Sequence, residues 1–114
     1  MRRFLVAALA VLTLATGAQA HSALDSSEPA DAATVAVVDT IALRFKDALR
    51  VTSITMTGPD GEVALTREAG FDPATDFDGV PPADLPNGDY TVEWRGLSAD
   101  GHAMQGTFGF TLAK

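Results

Sequence analysis

Short stretches in which apolar and polar residues alternate recur along the chain. They cover residues 40–46, 51–56, 89–95 and 107–112. Because successive side chains of a β-strand point to opposite faces, this alternation predicts strands with one buried face. The residues predicted to face inward are Ile41, Leu43, Phe45, Tyr90, Val92, Trp94, Phe108, Phe110 and Leu112.

Between these stretches, proline and glycine mark frequent turns. Six prolines and the pairs Asp60-Gly61, Asn87-Gly88 and Asp100-Gly101 interrupt the chain, and no helical period is visible. Residues 62–66 follow a tight turn as a hairpin partner of 51–56. Residues 68–87 alternate little, which indicates a loop-rich crossover with one short strand near 76–80. The pattern as a whole predicts a single all-β domain, an antiparallel β-sandwich.

The first twenty residues have the features of an export signal. Arg2 and Arg3 precede an apolar run at 4–14, and Ala18 and Ala20 supply the small residues that signal peptidase accepts. We predict a signal peptide at 1–20, cleaved after Ala20, and a mature domain at 21–114. An uncleaved anchor is the alternative. The mature domain has 114 − 20 = 94 residues and, having lost two arginines, a charge of 6 − 15 = −9.

Composition narrows the chemistry that this domain can perform. The chain contains no cysteine, which excludes disulfides, cysteine-ligated zinc and iron–sulfur sites, and blue-copper centres, since these need sulfur ligands. Its formal charge of −7, with the basic residues after Arg2 and Arg3 scattered singly, makes nucleic acid a poor partner.

The two histidines lie at positions suited to metal binding. Cleavage after Ala20 would make His21 the first residue, so that its α-amine and imidazole Nδ1 could chelate one metal ion. Such nitrogen donors favour Cu(II) among first-row divalent ions. The alternative is that His21 is simply the residue that cleavage exposes.

Asp100 and His102 form a second candidate feature. They flank Gly101 between two predicted strands, so their side chains point the same way and converge. The alternative is an ordinary hairpin loop with an exposed histidine. If His21 arrives at the same end of the sandwich, the set becomes three nitrogens and one carboxylate oxygen, a tetragonal set that suits Cu(II).

Both ends of the mature sequence resemble the CopC family of copper-resistance proteins. The resemblance rests on residues 21–31, which begin with His21 and include a Pro-Ala-Asp triplet, and on residues 88–110 with the Asp100-Gly101-His102 turn. It implies a periplasmic, cupredoxin-like or immunoglobulin-like Greek-key sandwich of about seven strands. It also implies one Cu(II) ion held by His21, Asp100 and His102, and a CopD-type membrane transporter as partner. We expect a monomer.

Two features depart from the family pattern. Asp47 stands where many members have a glutamate near the metal, and we expect it to be a neighbour of the site and not a ligand. Many members also carry a methionine-rich loop that binds Cu(I), whereas the mature chain has only Met56 and Met104. We therefore expect a Cu(II) protein without a Cu(I) site.

The sequence thus favours a non-enzymatic protein that sequesters copper and delivers it to a transporter. One alternative is a small oxidative enzyme, because a terminal histidine with a second histidine also forms the copper brace of polysaccharide monooxygenases. A metal-free immunoglobulin-like interaction module is the other.

Overall fold

The computed structural model describes residues 23–68 and 70–114, and within these ranges the chain forms strands and no helix. The predicted all-β class is confirmed. The predicted signal peptide (1–20) and His21 lie outside the described residues. The strands are β1 (Leu24–Glu28), β2 (Ala33–Val35), β3 (Ile41–Gly58), β4 (Gly61–Val63), β5 (Thr66–Arg67), β6 (Ala74–Val80), β7 (Gly88–Ser98) and β8 (Ala103–Leu112).

Strand β3 is the central strand of the sandwich and pairs with four others. Its first half pairs antiparallel with β1 and β6, and its second half pairs antiparallel with β7 and β4. The register shifts between Arg44 and Leu49 against β6, and between Val51 and Ser53 against β7. Irregularities of this kind bend a strand, which lets one strand pass from one layer to the other. The sequence predicted two separate strands here; the structure has one.

The core includes every residue that the alternation predicted to face inward, together with Leu49, Val51, Met56, Phe77 and Leu85. Along β7 every second residue is buried from Tyr90 to Gly96, and the predicted inward positions of β3 and β8 are at most 5% exposed. Phe45 meets Trp94 edge-on, with ring centroids 5.1 Å apart, and Tyr90 stacks on Phe110 at 5.2 Å. Burying apolar side chains of this size contributes about 1.5–3 kcal/mol each.

The ends of the domain are joined through β2. This strand pairs in parallel with β8, so that Ala33 lies opposite Phe110 and Val35 opposite Leu112. Next to this pairing, Gly109 N donates to Asp31 Oδ1 at 3.0 Å. The sheet order β2-β8-β7-β3-β6-β5, with β1 and β4 both on β3, therefore brings the first and last parts of the domain together.

The segment predicted as a loop-rich crossover is more ordered than expected. Strand β6 spans seven residues instead of the short stretch at 76–80 and pairs with both β3 and β5. Before it, the Arg67 guanidinium lies over the Phe71 ring at 3.9 Å and donates to the Val51 carbonyl at 2.8 Å. No helix in the described ranges is long and apolar enough to span a bilayer.

Candidate metal centre

The hairpin turn between β7 and β8 carries Asp100 and His102. Ser98 N donates to the His102 carbonyl at 2.9 Å, and Gly101 N donates to the Ser98 carbonyl at 2.9 Å. Gly101 has φ +87°, a left-handed conformation that residues with a Cβ rarely adopt. The turn therefore needs glycine between its two candidate ligands.

Asp100 and His102 do converge, as their spacing predicted. His102 Nδ1 lies 3.0 Å from Asp100 Oδ1, and the two side chains are 77% and 69% exposed. A hydrogen bond from the Ser98 hydroxyl, followed by one from His102, lowers the pKa of the Asp100 carboxyl to about 2. The carboxylate is therefore ionised at neutral pH and presented to solvent beside an imidazole.

The turn forms one wall of an open groove of about 900 Å³. Asp47 and Met104 line the same groove, and so does Ala23, the first described residue. Ala23 is held there by strand-like pairing, because its carbonyl accepts a hydrogen bond from Lys46 N at 3.2 Å. The chain just after the predicted N-terminus thus lies at the same end of the sandwich as the Asp100–His102 turn.

Within residues 23–68 and 70–114, no group of three or more His, Asp or Glu side chains could hold a metal ion. Asp100 and His102 supply one oxygen and one nitrogen, so a tight site needs donors from elsewhere. Met56 does not supply one, because it is fully buried in the core, whereas Met104 is half-buried in the groove. These methionines belong to different parts of the molecule.

Sequence reasoning missed the role of Ser98. Its hydroxyl donates to Asp100 Oδ1 and accepts from His102 N at 3.1 Å. The sequence feature that could have indicated this is a serine two residues before an aspartate at a turn. At such spacings short polar side chains form hydrogen bonds with neighbouring polar groups of the turn.

Fold and groove together define a class: a small all-β domain that presents a carboxylate–imidazole pair to solvent at one end. The chain belongs to the CopC family, whose domain model matches residues 24–113. It is 35% identical to copper resistance protein C of Escherichia coli over 113 residues, which covers 90% of this chain and 89% of that protein.

Solved structures show the same relationship. The fold is similar to PcoC, a methionine-rich copper resistance protein from Escherichia coli, with a TM-score of 0.64 and 32% identity over 82% of this chain and 99% of that one. It is also similar to CopC from Methylosinus trichosporium OB3b, with a TM-score of 0.69 and 28% identity over 81% and 93% of the two chains. These matches confirm the resemblance and the β-sandwich inferred from the sequence.

Proposed function

We propose that the mature protein binds one Cu(II) ion in the periplasm, through the amine and imidazole of His21, the Asp100 carboxylate and the His102 imidazole. The position of Ala23 in the groove beside Asp100 and His102 carries this proposal. His21 is two residues earlier, and two residues span at most about 7 Å. The proposal requires His21 to reach the turn across this short link.

The separation of the two described donors also suits a metal. Two cis ligands, each about 2 Å from an ion, lie about 2.8 Å apart, and Asp100 Oδ1 and His102 Nδ1 are 3.0 Å apart. Once the proton that His102 Nδ1 donates to Asp100 is displaced, both atoms can bind one ion with little rearrangement. Asp47 and Met104 line the groove as neighbours of this set.

The donor set favours carriage of copper over catalysis. Three nitrogens and a carboxylate fill the tetragonal plane that Cu(II) prefers, which leaves no equatorial position for oxygen activation by a copper-brace enzyme. Relatives named for copper resistance fit the same role. Copper is thus cargo that the protein sequesters and passes on, and a CopD-type membrane transporter is the proposed recipient for a monomeric carrier.

The proposal requires that the signal peptide is removed after Ala20, since only then does His21 carry a free amine. The experiment compares mature protein starting at His21 with protein that keeps one extra residue before it. We expect the mature form to bind one Cu(II) with a type-2 EPR spectrum. The extended form should bind it orders of magnitude more weakly, because an amide nitrogen is a poor donor.

Equal affinity of the two forms would contradict the amine ligand. Failure of the mature form to bind copper at all would favour the metal-free interaction module. Copper-dependent oxidation of a polysaccharide in the presence of ascorbate would favour the oxidative enzyme. The mass of the N-terminus in protein purified from the periplasm tests both the cleavage site and the compartment.

We also propose that the protein lacks a specific Cu(I) site. Soft thioethers are the ligands that Cu(I) selects when cysteine is absent, and Met56 and Met104 lie in the core and in the groove, respectively. A Cu(I) competition assay should show no tight one-to-one complex. Tight binding that survives His21→Ala would refute this.

A further inference from the structure

The Ser98 side chain connects both described metal-binding candidates. Its hydroxyl donates to Asp100 Oδ1 and accepts from the backbone N–H of His102 at 3.1 Å. The Ser98 backbone adds a bond from its own N–H to the His102 carbonyl at 2.9 Å. One residue at the end of β7 thus holds the carboxylate of one ligand and the main chain of the other.

This connection matters because packing does not fix the two side chains. Asp100 and His102 are more than two-thirds exposed, so their rotamers would otherwise be free, and ordering a free side chain on binding costs conformational entropy. Donor groups that are held in place before the metal arrives avoid part of that cost.

We propose that Ser98 is a positioning residue of the copper site: its hydroxyl fixes the Asp100 carboxylate and the His102 backbone in the arrangement that accepts Cu(II). This inference rests on the proposed function. Partners that orient metal ligands typically change metal affinity 10- to 100-fold when they are removed. We expect a loss of that size without the hydroxyl.

The sharpest test uses an isosteric pair at position 98. Ser98→Thr keeps a hydroxyl at this position. Ser98→Val introduces a side chain with nearly the same shape as threonine but without the hydroxyl. Both are β-branched residues, which suit the end of a strand. We expect Ser98→Thr to bind Cu(II) within about 3-fold of wild type and Ser98→Val about 10- to 100-fold more weakly. The EPR spectrum of Ser98→Val should also change, because the Asp100 oxygen is no longer held toward the metal.

A measurement on the copper-free protein checks the geometry independently. The His102 amide donates to the Ser98 hydroxyl, whereas the Gly101 amide donates to the Ser98 carbonyl, which every substitution retains. In Ser98→Val, NMR should show faster exchange of the His102 amide with water and little change at Gly101. A general loosening of the hairpin would accelerate both.

Controls separate this inference from the function on which it rests. Ser53→Ala changes an exposed serine of β3 and should bind copper as wild type does. If wild type fails to bind, or His102→Ala binds equally well, the proposed site is wrong. If His102→Ala loses copper while Ser98→Val matches Ser98→Thr, the site stands and the positioning role of Ser98 is wrong.

Discussion

Truncating the His102 side chain separates its role as a ligand from any role in the fold. The side chain is 77% exposed, and the bonds that close the turn use its backbone N–H and carbonyl. Both bonds survive in His102→Ala. Exposed substitutions away from structural features change stability by no more than about 0.5 kcal/mol, so the copper-free melting temperature should fall by no more than about 4 °C.

The effect on the copper-loaded protein should be much larger. A ligand at about 100 times its dissociation constant stabilises the native state by about 2.7 kcal/mol. For a domain of this size that raises the melting temperature by roughly 10–20 °C. If losing the imidazole weakens Cu(II) binding about 100-fold, the same copper concentration stabilises by only about 0.4 kcal/mol, or roughly 2–3 °C.

Thermal unfolding followed by circular dichroism, with and without Cu(II), measures both quantities on one sample. Without copper, the melting temperature of His102→Ala should lie within about 4 °C of the wild-type value, and copper should raise it far less than it raises that of wild type. A copper-induced rise in His102→Ala equal to that of wild type would refute the assignment of His102. A large loss of stability without copper would refute the claim that the side chain has no structural role.

Three further outcomes are expected. Cu(II) affinity should fall as pH is lowered from about 8 to 5, because protons compete with the metal for the imidazole and amine nitrogens. The Asp100 carboxyl has a pKa of about 2 and stays ionised over this range. A dissociation constant that does not change with pH would contradict this. Tyr90→Phe removes the hydrogen bond to the Pro86 carbonyl and should cost about 1 kcal/mol of unfolding free energy in urea titration, with copper affinity unchanged. Gly106→Ala would place a Cβ 2.7 Å from Trp94 Nε1, and this overpacking should cost about 1–3 kcal/mol and shift tryptophan fluorescence.

Most of the core could be predicted from the sequence. A strand that is buried on one face has an apolar residue at every second position, and this alternation is visible within a short stretch of sequence. Trp94 and Leu43 are examples, and both are at most 1% exposed. Strand β2 was missed because its three residues pair with β8, about 77 positions away. The break expected within β3 was wrong because Leu49 and Val51 are buried and paired across it, a tertiary effect that no short window contains.

Part of the candidate site could also be predicted from the sequence. The spacing of Asp100 and His102 predicted that their side chains lie close together, since one glycine between two residues at a hairpin turn leaves few arrangements. The groove itself depends on how β1 packs beside β3 and brings Ala23 to the β7–β8 turn. This packing requires pairing between segments that are distant in the sequence, which a local sequence pattern does not show. Only the family resemblance indicated that the start of the mature chain lies near the turn.

The parallel pairing of β2 with β8 has a consequence for biosynthesis. Phe110 and Leu112 lie opposite Ala33 and Val35, so a chain growing from the ribosome cannot close its core until residue 112 has been made. Contacts this far apart in sequence also make folding slow. The core of the nascent chain therefore stays open until synthesis of the domain is almost complete.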